Sequence, residues 1–177
     1  MRMPMRMRSG LALVALGAAL VTPARAFELR SPAFEQGAAI PTEHACTGSN
    51  VSPPLAWRDP PEGTAAFALL VEDPDAPGGT WVHWVLYGIP PEKTELPREV
   101  PAVERPDEGM KQGRNDFRRT GYGGPCPPPG SRHRYLFRLF ALDAPLGLAP
   151  GATRSDLLAA IRGHVLAEAR LVGVFAR

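Results

Sequence analysis

Two carboxylates and two imidazoles are the side chains of this sequence best suited to binding or proton-transfer chemistry. Asp73 and Asp75 flank Pro74, which lacks an N–H donor and fixes the backbone between them. His83 lies in an apolar stretch after this turn, and His133 begins a later one. Imidazole N–H groups brought to one pocket can bind an anionic oxygen, while the carboxylates can orient the imidazoles or contact a cationic ligand group.

Structural roles explain the same residues when each is considered alone. An Asp-Pro-Asp turn commonly holds capping carboxylates, and a single histidine among apolar residues is more often a core side chain than a ligand. The spacing by itself therefore leaves open whether Asp73, Asp75, His83 and His133 form a site.

Most sequence motifs of catalytic sites are absent. The sequence contains no GxSxG, HExxH, GxGxxG or P-loop motif and no CxxC pair. We therefore expect no enzymatic activity, no metal and no cofactor. A phosphoester hydrolase with a metal held by two histidines and a carboxylate is a weaker alternative, because no HxH or HxxxH spacing supports it.

The elements that must position these side chains are short strands joined by turns. Residues 67–71 form a continuous apolar run, which predicts a strand buried on both faces. Residues 80–88 and 134–142 predict two further strands. Side chains alternate between the two faces of a strand. In the strand at 80–88, one face has Trp81, His83, Val85 and Tyr87. In the strand at 134–142, one face has His133, Tyr135, Phe137 and Leu139. Short strands with turn-rich connections predict a mainly β domain.

The clearest helix signal lies near the end of the chain. Thr153 can cap this helix, with Asp156 at the third helical position. Apolar residues then recur at helical spacing, namely Leu157, Leu158, Ile161, Val165 and Ala169. Residues 171–175 predict a last short strand. Residues 90–119 are polar, rich in Pro and Gly and without a sustained period, which predicts a long surface loop.

The charge of the chain depends on its first 26 residues. The 177 residues contain 20 Lys and Arg against 18 Asp and Glu, a formal charge of +2. Four arginines and no acidic residue fall in residues 1–26, so residues 27–177 have 16 basic against 18 acidic residues and a charge of −2. This part has no basic stripe with interleaved aromatic residues, which disfavours nucleic-acid binding.

Residues 1–26 have the parts of a secretory signal peptide in order. Arginines precede an apolar run at 11–21, and Ala24-Arg25-Ala26 offers a small-x-small cleavage site. The run of about 11 residues is shorter than the roughly 20 of a membrane-spanning helix, so we expect no stable membrane span. We predict a signal peptide at 1–26, a single domain at 27–177, and a periplasmic or secreted location.

The motifs resemble those of the phosphatidylethanolamine-binding proteins, in particular the bacterial Raf-kinase-inhibitor-like branch. Four of them occur in the family's order: DPDAP at 73–77, WVHW at 81–84, GPCPP at 124–128 and HRY at 133–135. Residues 50–57 (NVSPPLAW) and 163–168 (GHVLAE) also look like that branch. The resemblance covers nearly all of residues 27–177.

The resemblance implies a fold and a ligand. The fold is mainly β (α+β), an antiparallel β-sandwich with Greek-key connections and a C-terminal helix. Its pocket accepts phosphate, acetate, cacodylate or the phosphoethanolamine head group, without a catalytic role or a metal. The implied ligand-binding residues are Asp73, Asp75, Trp81, His83, Tyr122, Pro128, His133 and Tyr135.

An alternative function follows from the same resemblance. Some relatives inhibit kinases or proteases, and a surface loop such as residues 90–119 would serve that role here. No residue of this loop identifies a protein partner, so the Raf-type role does not transfer to this chain.

The two cysteines, Cys46 and Cys126, are the only ones in the chain. An exported protein folds in an oxidising compartment, where paired cysteines are usual, so we predict a disulfide between them. Two buried free thiols are the alternative. In the chain-entropy model, closing a loop of about 80 residues stabilises the fold by roughly 4 kcal/mol.

Overall fold

The structure is a computed structural model that describes residues 26–177. The predicted signal peptide therefore lies outside the described residues, except for Ala26. Within 26–177 the chain forms eight β-strands, one α-helix and one short 3₁₀ helix at Thr42–His44. The prediction of a mainly β fold is confirmed.

The strands form two antiparallel sheets. The smaller sheet has the order β1-β2-β5, formed by Glu28–Arg30, Leu55–Arg58 and Glu95–Leu96. The larger sheet has the order β6-β4-β3-β7-β8, formed by Lys111–Gln112, Trp81–Ile89, Ala66–Asp73, Arg132–Leu142 and Val165–Ala176. Strand β3 is the middle strand of the larger sheet, and its last residue is Asp73.

The core lies on both faces of the larger sheet. One apolar cluster joins it to the smaller sheet, and includes Leu55, Trp57, Phe67, Leu69, Trp84 and Phe137. The other cluster covers the opposite face beneath helix α1 (Arg154–Ala160), and includes Leu70, Val85, Tyr87, Leu157 and Ile161. All eight residues of β3 are buried, because both of its faces are covered. The predicted strand at 67–71 is thus confirmed.

Strand β4 contains a bulge that the sequence pattern did not predict. Val71 pairs with Trp84 and Glu72 pairs with Val82, so His83 is the extra residue opposite a shift in register. His83 consequently contacts Tyr135 of the core cluster between the sheets, whereas Val85 and Tyr87 pack under α1. The prediction that His83 shares a face with Val85 and Tyr87 is wrong, because an inserted residue breaks the two-residue alternation.

Helix α1 begins as predicted and ends earlier. The Thr153 hydroxyl and the Asp156 side chain form the expected capping box. The helix ends at Ala160, and Gly163 has a left-handed φ of 84°, a conformation typical of a helix C-terminus. The prediction that helical spacing continues to Val165 and Ala169 is wrong, since β8 pairs there with β7 along nearly its whole length. The helix is therefore not the last element.

The segment 90–119 is anchored to the core rather than free at the surface. It contains β5 and β6, and Met110 and Gln112 are buried. The Gln112 amide accepts a hydrogen bond from Trp84 Nε1 at 2.6 Å and donates to the Pro101 and Val103 carbonyls. The prediction of a long surface loop is therefore wrong where the segment forms β5 and β6 and contributes buried side chains.

Helix α1, seven residues long, is the only α-helix of the described chain. In residues 26–177 no helix has the length and apolar character needed to cross a membrane.

Candidate functional site

A cavity of about 260 Å³ opens where β3, β4 and β7 come together. Its lining consists of Asp73, Ala76, Pro77, Trp81, His83, Phe117, Cys126, Pro127, Pro128 and His133. Five of the eight residues predicted to bind a ligand are among them: Asp73, Trp81, His83, Pro128 and His133. The volume lies just below the range of about 300 to 1,000 Å³ that is typical of drug-sized ligands, so the cavity suits a smaller molecule.

His133 is oriented by Asp73 at the base of the cavity. Its Nδ1 lies 2.8 Å from Asp73 Oδ2, and both side chains are almost fully buried. Because an ionised carboxylate only accepts hydrogen bonds, Nδ1 carries the proton and Nε2 is the nitrogen left for a ligand. The second carboxylate oxygen of Asp73 accepts the Asp75 N–H at 2.8 Å, so both oxygens are occupied.

His83 is held by a backbone carbonyl rather than by a carboxylate. Its Nδ1 donates to Gly123 O at 2.6 Å, and the Gly123 N–H donates to His83 O at 2.9 Å. The rings of Tyr135 and Phe117 contact the imidazole edge-on, with centroids 5.1 and 5.3 Å away. Burial lowers the pKa of His83, against the opposing effects of the Gly123 carbonyl and the Asp73 charge. Because Nδ1 is engaged by Gly123 O, Nε2 is the nitrogen left for a ligand. Because its pKa is lowered, His83 is mostly neutral at pH 7.

Aromatic side chains form the outer wall of the cavity. Trp81 is 39% exposed, and its ring contacts Phe117 with centroids 5.5 Å apart. Phe117 is not among the predicted site residues, because the pattern of residues 90–119 predicts a surface loop. The sequence marks it only as one aromatic side chain between two charged residues, Asp116 and Arg118. Its position at the cavity depends on the fold of the loop, which the spacing does not reveal.

Asp75 lies outside the cavity lining. Its carboxylate accepts hydrogen bonds from Arg134 Nε at 2.9 Å and Nη2 at 2.6 Å, and from the Arg134 backbone N–H at 2.9 Å. These hydrogen bonds lower the pKa of Asp75 to about 2. The Asp75–Arg134 pair therefore joins the turn after β3 to the start of β7, next to His133.

The two predicted tyrosines are buried and lie outside the cavity lining. Tyr122 donates its hydroxyl proton to His44 O at 2.9 Å, and burial raises its pKa. Tyr135 packs against the His83 ring, and its hydroxyl has no hydrogen-bond partner among the described residues. Burial and the nearby charge of Asp73 raise the pKa of Tyr135. Tyr135 therefore supports the His83 ring from outside the lining, whereas Tyr122 lines a different pocket.

The predicted disulfide is confirmed, and it braces one wall of the cavity. Cys46 and Cys126 are bonded, with their Cα atoms 5.4 Å apart. The same two segments are joined by hydrogen bonds from Cys46 N to Pro125 O at 3.0 Å and from Gly124 N to Asn50 Oδ1 at 2.7 Å. A Cβ on Gly124 would lie 2.2 Å from His44 O, so this close approach requires glycine. The wall that carries Cys126 is therefore rigid.

The donor set of the cavity does not resemble a metal site. Within residues 26–177, no three His, Cys, Asp or Glu side chains are grouped closely enough to hold a metal ion together. In the cavity itself, Asp73 is hydrogen bonded to one of the two histidines. The arrangement offers two imidazole nitrogens and apolar walls to a small ligand.

Comparison with known proteins gives consistent matches over the described part. A family model described as phosphatidylethanolamine-binding protein matches residues 30–176. A UPF0098 protein of Methanothermobacter thermautotrophicus is 48% identical over 149 residues, covering 84% of this chain and 98% of the relative. A Mycobacterium tuberculosis protein that is named as a lipoprotein, LppC, is 44% identical over 159 residues, covering 87% of this chain and 76% of the relative.

A solved structure extends the similarity to three dimensions. The crystal structure of E. coli YbcL, described as a member of the mammalian PEBP family, superposes with a TM-score of 0.80 at 34% identity. The match covers 85% of this chain and 98% of YbcL. The two-sheet arrangement therefore agrees with that of a solved protein of similar sequence.

Proposed function

Because the chain belongs to the phosphatidylethanolamine-binding protein family, we propose that it is a non-enzymatic binding protein for small phosphate-like anions or phospho head groups. One observation carries the proposal. His83 and His133 line the same cavity, and each has its Nδ1 engaged by the protein while Nε2 is free of protein partners among the described residues. Two imidazole nitrogens are thus left for one ligand.

The electrostatics of the cavity favour an anion once the imidazoles are protonated. Asp73 is compensated by His133, and Asp75 is compensated by Arg134, so neither carboxylate is an isolated negative charge. A protonated Nε2 donates to an anionic oxygen, and such charge-assisted hydrogen bonds are stronger where apolar walls exclude water. Trp81, Phe117 and Pro128 supply those walls.

We extend the proposal to export and to the detailed architecture. The signal-peptide pattern at 1–26, the Cys46–Cys126 disulfide and the similarity to LppC support an exported protein. The apolar cluster shared by the two sheets supports a β-sandwich, and we propose Greek-key connections within it.

The test of this function removes each imidazole in turn. We expect His83→Ala and His133→Ala each to weaken sulfate binding at pH 5 by about tenfold or more, because each removes a hydrogen bond to a charged group. Trp81→Phe keeps an aromatic wall and should change the affinity by less than about threefold. Calorimetric titration of the purified protein measures all three variants.

His164→Ala is the matched control for these variants. His164 is an exposed histidine whose Nδ1 lies 2.8 Å from Asp143 Oδ1, and it does not line the cavity. Its removal should leave the affinity for sulfate unchanged. Equal losses in the His164 and His133 variants, or no sulfate binding by the wild type, would contradict the proposed site.

The pH dependence gives a second test. We expect the affinity for sulfate to fall as the pH rises from 5 to 8, by up to about tenfold per pH unit for each imidazole that must be protonated, because only a protonated imidazole donates from Nε2. Burial lowers the pKa of His83 below the ordinary histidine value of about 6.5. As the pH rises, His83 therefore loses its proton, and its contribution to binding, before an ordinary histidine would. Sulfate is the right probe because its charge is constant over this range, whereas phosphate gains a charge. An affinity that is independent of pH would contradict this role of the imidazoles.

A further inference from the structure

A groove rich in arginine lies on the other side of the start of β4 from the cavity. It has a volume of about 440 Å³ and is lined by Thr80, Val82, Arg114, Asn115, Asp116, Arg118, Thr153, Arg154 and Ser155. None of these residues lines the cavity described above. We propose that this arginine groove is a second binding site, for a small phosphate monoester.

The positive charge of the groove is only partly neutralised within the protein. Arg114 and Arg118 form no ion pair with any carboxylate of residues 26–177, whereas Arg154 is bonded to the buried Glu72. Because Glu72 neutralises Arg154, the two unpaired arginines and the one aspartate of the lining leave one positive charge in excess. Guanidinium groups match phosphate oxygens with two parallel hydrogen bonds, so unpaired arginines facing one groove favour a phosphate group.

The carboxylates in or next to the groove already accept hydrogen bonds from other groups of the protein. Asp116 Oδ2 accepts the Val82 N–H at 2.7 Å, and Asp156 Oδ2 accepts the Thr153 N–H at 2.8 Å. Glu72 is hydrogen bonded to both Arg138 and Arg154. Asp116 is thus the one carboxylate in the lining, and its charge opposes an anion without outweighing the two unpaired arginines.

The backbone that carries the two unpaired arginines is fixed. The Arg114 N–H donates to Ala152 O at 3.0 Å, and the Asn115 amide donates to Gly121 O at 2.8 Å and accepts the Arg119 N–H at 3.2 Å. Arg118 has a φ of 62°, which a residue with a side chain keeps only where its surroundings impose it. A ligand therefore orders two side chains but no loop, which limits the entropic cost of binding.

The experiment is an amide NMR titration of the purified protein with glycerol 3-phosphate, a soluble phosphate monoester. We expect the amide signals of residues 114–116, 118 and 153–155 to shift with one shared affinity. The double variant Arg114→Gln/Arg118→Gln should weaken that binding by about tenfold or more. The variant Asp116→Asn keeps the acceptor for the Val82 N–H and removes the opposing charge, so it should tighten binding by about threefold.

Arg30→Gln is the matched control for charge, because Arg30 is an exposed arginine on the smaller sheet that lines neither site. It should leave the titration unchanged, and an unchanged thermal midpoint in the double variant shows that its fold is intact. The proposal is overturned if the amide signals of residues 114–116 and 118 do not shift, or if they shift equally in the double variant. In the double variant His83→Ala/His133→Ala, glycerol 3-phosphate should still shift the amide signals of the groove. This variant therefore separates failure of the proposed cavity function from failure of the proposed groove site.

A further arm identifies the source of the phosphate. Vesicles that contain phosphatidic acid are spun down with the wild-type protein and with the double variant. Co-sedimentation that depends on Arg114 and Arg118 supports a phosphate carried by a lipid. Binding of glycerol 3-phosphate without co-sedimentation supports a free phosphate monoester.

Discussion

Reduction of the Cys46–Cys126 disulfide is expected to lower the free energy of unfolding by about 4 kcal/mol, through the entropy of the closed loop. The bonded residues are 80 positions apart, so the crosslink restricts about half of the described chain in the unfolded state. The loop includes strands β2 to β6. Urea unfolding of the oxidised and the reduced protein at pH 7 measures the difference.

The reduced protein should still fold under native conditions, because hydrogen bonds join the same two segments. The variant Cys46→Ser/Cys126→Ser is the control: it should unfold like the reduced wild type and should not respond to a reductant. Mass spectrometry after alkylation of the unreduced protein should find no free thiol. Two alkylated cysteines, or coincident unfolding curves, would contradict the prediction.

Replacement of Arg138 by methionine is expected to lower the free energy of unfolding by about 3 kcal/mol, at the lower end of the range for breaking a buried ion pair. Arg138 donates to Glu72 at 3.1 Å and to Glu168 at 2.7 Å. The Glu72 side chain is only 5% exposed, so the loss of a donor leaves a buried carboxylate with Arg154 as its one cationic partner. Methionine preserves most of the volume of the arginine stem. Chemical unfolding at pH 7 measures the loss.

Arg170→Met is the matched control, because Arg170 donates to the same Glu168 from an exposed position. Its side chain is 59% exposed, against 20% for Arg138. Exposed ion pairs contribute little, so this variant should lose less than about 1 kcal/mol. Similar losses in the two variants would show that burial of Glu72 is not the cause.

The acid limb of the stability curve should distinguish the variants further. Burial disfavours ionisation of Glu168, but hydrogen bonds from Arg170 and Arg138 outweigh it and lower the pKa of Glu168 to about 2. A lowered carboxyl pKa adds stability above the unfolded value of 4.5, and that stability is lost as the pH falls toward 2. The difference between the wild type and Arg138→Met should therefore narrow below pH 4.5.

Those parts of the fold that depend on local pattern were predicted from the sequence. Strand β3 was found because its apolar run is continuous, and the start of α1 because Thr153 and Asp156 are three residues apart. The extent of β8 was not found, since Val165 and Ala169 fit a helical period as well as a strand. What decides between them is pairing with β7, which is a contact between distant parts of the chain.

The candidate site was found only in part for a similar reason. Asp73, His83 and His133 carry family motifs, and these led to the cavity. The bulge that turns His83 toward it is defined by the pairing of β3 with β4, which no alternation within one strand can reveal. Phe117 reaches the cavity from a segment without a period, and its place depends on how that segment folds.

The exposed position of Trp81 gives the protein an optical property. Of its three indoles, Trp57 and Trp84 are buried, and only Trp81 meets solvent, at the mouth of the cavity. A collisional quencher in solution therefore quenches the fluorescence of Trp81 and leaves that of Trp57 and Trp84 unchanged. The quenched share of the emission reports directly on what occupies the cavity, without any dye or label.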